Sequence, residues 1–263
     1  MSFNRTLTRL ALAAGAVAIS LPASAMVFVD VTVENLAPAN GISFAPLHAG
    51  FHSGSFDAFD IGGVAGAAII SVAEGGAGDV WQADFAAADP GASRGTVGGL
   101  LQPGETATLR FTVDPVTNSY FSFASMVVPS NDFFIGNDSP TAYQLFDSAG
   151  NLQIGSIVQT ASQIWDAGSE VFDPAAAAFV GNNDLRTAQN SVVAFNFAEL
   201  AAFNGLTTGT GYVFDSGLAA SDEVYRISFN VSPVPEPGTY ALMGAGLLGV
   251  GWIARRRKAM LDA

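Results

Sequence analysis

The sequence predicts an all-β fold: an antiparallel β-sandwich with one or two short helices in its connections. Three observations predict it. Val27–Leu36, Thr106–Val113 and Val224–Val231 alternate apolar and polar residues, the period of a strand with one covered face. Clusters of Gly, Pro, Asn, Asp and Ser separate the apolar runs, as turns do. Twenty phenylalanines can fill the space between sheets without a hydroxyl to satisfy.

In chain order, Val29, Val31 and Val33 point one way along the first strand, and Asp30, Thr32 and Glu34 the other. Ala37–Gly41 is a turn, and Ile42–His48 a possible second strand. His48 and His52 are four apart, the spacing of facing residues on a helix, but Gly50, Ser53 and Gly54 argue against a helix there. Val64–Ala73 reads either as a short helix, from its alanines, or as a buried strand, from Ile69 and Ile70; Trp81–Ala88 reads as a short helix. Thr106–Val113 and Asn118–Val128 read as a hairpin. Ala142–Phe146, Ile154–Val158 and Val224–Val231 complete the strands, and Glu199–Phe203 is a helical turn.

The centre of this arrangement is Ser125–Tyr143. An apolar strand enters the turn Pro129-Ser130-Asn131-Asp132, an aromatic run Phe133-Phe134-Ile135 follows, and a second polar turn, Gly136–Pro140, carries Asp138. Asp132 and Asp138 on these turns either cap the backbone or act as hard oxygen ligands for a cation.

The two ends carry an address. Met1–Ala25 has Arg5 and Arg9, an apolar stretch and an Ala23-Ser24-Ala25 close, the pattern of a secretory signal peptide. At the other end, Pro235-Glu236-Pro237 leads into the apolar, glycine-rich Tyr240–Ala254 and the basic stop Arg255-Arg256-Arg257-Lys258. Physically this is a short transmembrane candidate with a cytoplasmic basic flank. The tail, 234–258, resembles the PEP-CTERM sorting signal of Gram-negative bacteria. That resemblance implies an exosortase-type processing enzyme as partner, membrane contact through the tail before processing, and export to the outer envelope, cell surface or extracellular matrix. Residues 259–263 trail behind it.

Between the signals, 26–233 is one domain's length. Its only basic residues are Arg94, Arg110, Arg186 and Arg226, so the exported part of a chain of net charge −13 is strongly acidic. That balance disfavours nucleic acid as a partner. With no cysteine, thiol catalysis and thiolate metal sites are excluded.

Val128–Asp138 is similar to the central motif of the spondin N-terminal domain family, with Asn131 where proline is common and Phe133 where tryptophan is common. Val31–Gly41 and Trp165–Glu170 fit the same pattern. The resemblance implies a sandwich like a C2 domain with a Ca²⁺ site, whose ligands carry over to Asp132, Asp138 and Asp166, with Asn131, Asn137 and Glu170 as additional ligands. It also implies adhesion or matrix interaction, with an extracellular polysaccharide or a matrix or surface protein as partner. The alternative is a calcium-supported hydrolase acting on matrix polysaccharide. The chain has no Gly-x-Ser-x-Gly elbow and no phosphate-cradling glycine loop, so a non-catalytic role is the reading preferred here.

Overall fold

The computed structural model describes residues 25–234, together with 238 and 244–250. The expected signal peptide Met1–Ala25 (all but its last residue), the Pro235-Glu236-Pro237 motif and the Arg255–Lys258 cluster lie outside the described residues. The expected membrane segment Tyr240–Ala254 is described only at 244–250, which is helical. Among the described residues no helix is long and apolar enough to cross a membrane, which corrects the expectation of a transmembrane helix.

In chain order the elements are β1 (Val27–Asn35), β2 (Ser43–Phe44), β3 (Leu47–His52), α1 (Ala67–Gly75), α2 (Asp79–Ala88), β4 (Ser93–Val97), β5 (Thr106–Val113), β6 (Tyr120–Val128), β7 (Phe133–Gly136), β8 (Ser156–Thr160), β9 (Trp165–Asp166), β10 (Ala194–Phe195), α3 (Phe197–Leu200) and β11 (Glu223–Pro233). They form two antiparallel sheets. The smaller runs β5-β1-β11-β8, and the larger β10-β9-β7-β6-β3-β4, with β2 also paired to β6.

The small sheet obeys the alternation. Val29, Val31 and Val33 are fully buried, and Val31 stands opposite Leu109 on β5 and Phe229 on β11. The central strands of the large sheet, β3, β6 and β7, do not alternate, because they are covered on both faces, whereas the edge strands β4 and β10 keep exposed positions. Phe51, Phe121, Phe123, Phe133 and Ile135 face the small sheet in one core. The Phe51 ring meets Phe111 of β5 at 5.3 Å and Phe229 of β11 at 6.3 Å between centroids, so the two layers interlock through edge-on aromatic contacts.

Ala124 and Phe134, on the opposite face, join a second core with Ile69 and Val72 of α1 and Trp81 and Phe85 of α2. Phe56 stacks on Phe85 at 4.0 Å. Helix α1 ends at Gly76, whose left-handed φ of 64° lets its amide reach the Val72 carbonyl at 2.8 Å. Gly50 on β3 is a glycine because the Phe85 ring lies where a Cβ would be, 2.4 Å away.

The molecule is therefore a mixed α/β fold, and the all-β sandwich is corrected. The second apolar face of the large sheet needed a cover, and α1 and α2 supply it. Neither sheet closes or curls as a C2 domain requires. The predicted hairpin of Thr106–Val113 with Asn118–Val128 also fails. β5 pairs with β1, whereas β6 pairs with β3 and β7, so the two strands belong to different sheets. Their burial explains the separation: β5 keeps an exposed face, and β6 is buried at every position after Tyr120.

Phe51→Ala removes the ring that ties the layers together. The loss should be about 3–5 kcal/mol, read from denaturant midpoints, against a much smaller loss for the half-buried Phe28→Ala.

Candidate functional site

At one end of β7 the chain makes a turn that holds a distant loop. Within it, the Ser130 hydroxyl donates to the Val127 carbonyl at 2.6 Å and accepts from the Phe133 amide at 3.0 Å. This fixes Asn131 and Asp132, both almost fully buried, toward the segment that follows β9. The Asn131 amide pairs with the backbone of Asp173 in both directions, each bond 3.1 Å. Asp132 Oδ2 accepts three hydrogen bonds, from the Ser169 amide at 2.7 Å, the Glu170 amide at 2.9 Å and the Ser169 hydroxyl at 3.1 Å. Burial raises the Asp132 pKa, and the Glu170 and Ser169 donors oppose that rise. Asp132 is thus an anchor across 37 residues of sequence rather than the cap of its own turn.

Glu170 lies beyond the anchor with its side chain 5% exposed, 3.3 Å from Arg186 Nη1, and Arg186 Nη2 donates to the Glu74 carbonyl at 2.8 Å. Burial pushes the Glu170 carboxyl up to about 7; Arg186 opposes the shift, and Glu74 and Asp132 add to it.

Asp166 sits on β9, opposite Phe133 of β7. Its Oδ1 accepts from the Gly168 amide at 2.7 Å. Burial, then the neighbouring Asp132, pushes Asp166 up to about 6, with Glu199 contributing. The neighbouring Asn196 side chain opposes the rise at both Asp166 and Glu199. These residues border an open cleft of about 380 Å³ at the β9–β10 edge, completed by Gln189, Ser191 and Phe195.

Asp138 and Asn137 lie at the other end of β7. Asp138 Oδ1 accepts from the Ile61 amide at 2.6 Å. Asn137 accepts from the Phe123 amide at 2.9 Å and donates to Ser122 Oγ at 2.9 Å. Six residues of nearly extended chain, about 3.3 Å each, put Asp138 about 20 Å from Asp132. The structure therefore brings Asp132, Asp166, Asn131 and Glu170 to one end and leaves Asp138 and Asn137 at the other. Among the described residues no group of three or more His, Asp or Glu side chains could hold a metal ion. Of the implied Ca²⁺ ligands, Asp132, Asp138, Asp166 and Asn131 each have one oxygen engaged by backbone amides, whereas Glu170 Oε1 pairs with Arg186 and its Oε2 has no hydrogen-bond partner among the described residues.

His48 and His52 lie on strand β3 and point into the helix-side core. His48 bonds the Gly76 carbonyl through Nε2 at 3.0 Å, and His52 Nδ1 accepts from the Gly54 amide at 3.1 Å with Nε2 on Ser122 Oγ at 2.9 Å. Burial lowers both, His52 to about 4. A second cavity, about 440 Å³ and mostly apolar, lies beside Pro46, Leu100, Phe179 and Tyr212. Its Tyr212 hydroxyl is already engaged by Ser43 and the Gly41 carbonyl.

Sequence reasoning missed Gln189, Ser191, Asn196 and Glu199 as site residues. They sit in an irregular stretch rich in Ala and Asn with no periodicity, and the pairing of β9 with the two-residue β10, with backbone bonds from Gln189 to Ser169 and from Ser191 to Gly168, brings them to Asp166. No local signal could have found them.

Comparison with known proteins places the tail. A family model of the PEP-CTERM protein-sorting motif matches residues 233–258, immediately where β11 ends. No curated protein matches the chain. The match does not extend to the spondin-like stretch Val128–Asp138. The motif marks the chain for export and for processing by an exosortase-type enzyme.

Two measurements check the anchor. Asp132→Ala strands two buried amides and should cost about 3 kcal/mol in denaturant unfolding. Glu170 should act through pH. Its folded pKa lies above the ordinary glutamate value, so in the window from that value to about 7 the folded chain holds a proton the unfolded chain has released. Its contribution is present at acid pH and is lost as pH rises through about 7. The stability of Glu170→Gln relative to the parent should therefore rise between about pH 5 and about pH 8, measured by thermal unfolding.

Proposed function

We propose that the exported domain is a non-catalytic binding module, working in adhesion or matrix interaction at the cell surface or in the extracellular matrix. The observation that carries this reading is the sorting motif at residues 233–258, which begins at the last residue of β11. Processing of such a tail concerns where the domain is delivered, so its work lies with partners met outside the cytoplasm. The folded part supports it. The polar groups buried at the end of the large sheet, Asn131 and Asp132, are committed to holding loops in place, which gives a fixed surface for recognition. The acidic balance of the domain turns it away from anionic polymers and toward neutral or basic partners.

Replacing Pro235-Glu236-Pro237 with alanines in the producing cell should remove the protein from the surface, read by antibody labelling of intact cells. Loss of the protein should reduce attachment between cells or to a substratum in the same degree. Unchanged attachment, or release of reducing ends from matrix polysaccharide by the purified protein, would contradict the reading.

A further inference from the structure

The cleft at the β9–β10 edge is not explained by packing. Its volume of about 380 Å³ falls in the small-ligand range, about 300–1,000 Å³. Two carboxylates, Asp166 and Glu199, border it together with Asn196. The side chains of Gln189 and Ser191 also line it and are exposed, and Glu199 Oε2 has no hydrogen-bond partner among the described residues. Phe195 supplies an apolar wall. Its ring is 45% exposed yet held on two sides, stacked on Phe197 at 6.0 Å and edge-on to Trp165 at 6.4 Å.

We propose that this cleft binds a neutral saccharide unit. The chemistry of the lining selects that class. Carboxylates accept from hydroxyls, an amide both donates and accepts, and a serine hydroxyl does either, which suits a ligand with hydroxyls on most of its carbons. A fixed, exposed ring offers an apolar platform for the C–H face of a sugar. A small cation would use the two carboxylates and leave Gln189, Ser191 and Phe195 without a role. A uronate or sulfated sugar would bring negative charge against Asp166 and Glu199 and is excluded by repulsion. This deepens the surface-binding reading above and rests on it, naming the ligand class and the place.

The test uses the purified exported protein on a printed array of neutral hexose oligosaccharides and uronate-containing oligosaccharides, followed by calorimetric titration of the neutral sugars retained. Neutral sugars should bind and uronates should not. Phe195→Ala and Gln189→Ala should each weaken binding by about tenfold or more with the melting temperature unchanged. Phe179→Ala, at the other cavity, should leave binding intact. No neutral sugar retained, undiminished binding in both cleft variants, or binding instead of polylysine that fades with salt would each overturn the assignment. The array also separates this proposal from the surface role. An attachment phenotype with an empty array removes the cleft and leaves the module. Neutral sugar bound at Phe195 with attachment unaffected removes the adhesive reading and leaves the cleft.

Discussion

The central strands of the large sheet, β3, β6 and β7, are buried on both faces, and the rest of the structure follows from that constraint. One face meets the small sheet through Phe51, Phe121 and Phe133, and the other meets α1 and α2 through Ala124 and Phe134. A strand covered twice cannot send its polar groups to water, so every polar side chain on it must find a partner inside. His52 bonds Ser122, Ser122 bonds Asn137, Asn137 bonds the Phe123 amide, and Ser125 donates to the Ala45 carbonyl. Two residues that looked like candidates for chemistry, His52 and Asn137, are members of this internal network.

Asp132 is the strongest case. A buried carboxylate that accepts three hydrogen bonds from Ser169 and Glu170 fixes a loop that no regular pairing would hold. The same anchor sets the path of the chain beyond β9, while the pairing of β9 with β7 places Asp166 at the rim of a polar cleft. Structure and recognition meet there. The groups behind the rim are spent on the fold, and the groups in front of it, Gln189, Ser191 and Phe195, face outward.

Much of the fold was legible where burial is one-sided. Alternation marked β1, β5 and β11 because each keeps a wet face. The turn at Pro129–Asp132 was legible from its composition, and so was the aromatic run after it, though not its pairing as a strand. Where burial is two-sided, periodicity is silent. Residues of β3 and β6 read as apolar runs, and nothing local shows that β6 leaves its neighbour β5 to join another sheet. Val64–Ala73 was ambiguous between helix and strand, and the tertiary need to cover Phe134 and Ala124 decides for the helix. For the site, the carboxylates Asp132, Asp138 and Asp166 were visible as residues but not as a geometry. The four residues of β7 carry Asp132 and Asp138 to opposite ends, and a spacing of six residues means neighbours in a loop but distance in a strand.

The central claim is that the Asp132 carboxylate holds the loop after β9 as firmly as the sheet itself. Amide hydrogen exchange at single-residue resolution tests it most directly, because protection reports the free energy of opening. The account predicts that the Ser169 and Glu170 amides exchange as slowly as those in the middle of Tyr120–Val128. Exchange as fast as that of the exposed turn Asn183–Leu185 would contradict it, and would leave the cleft without its frame.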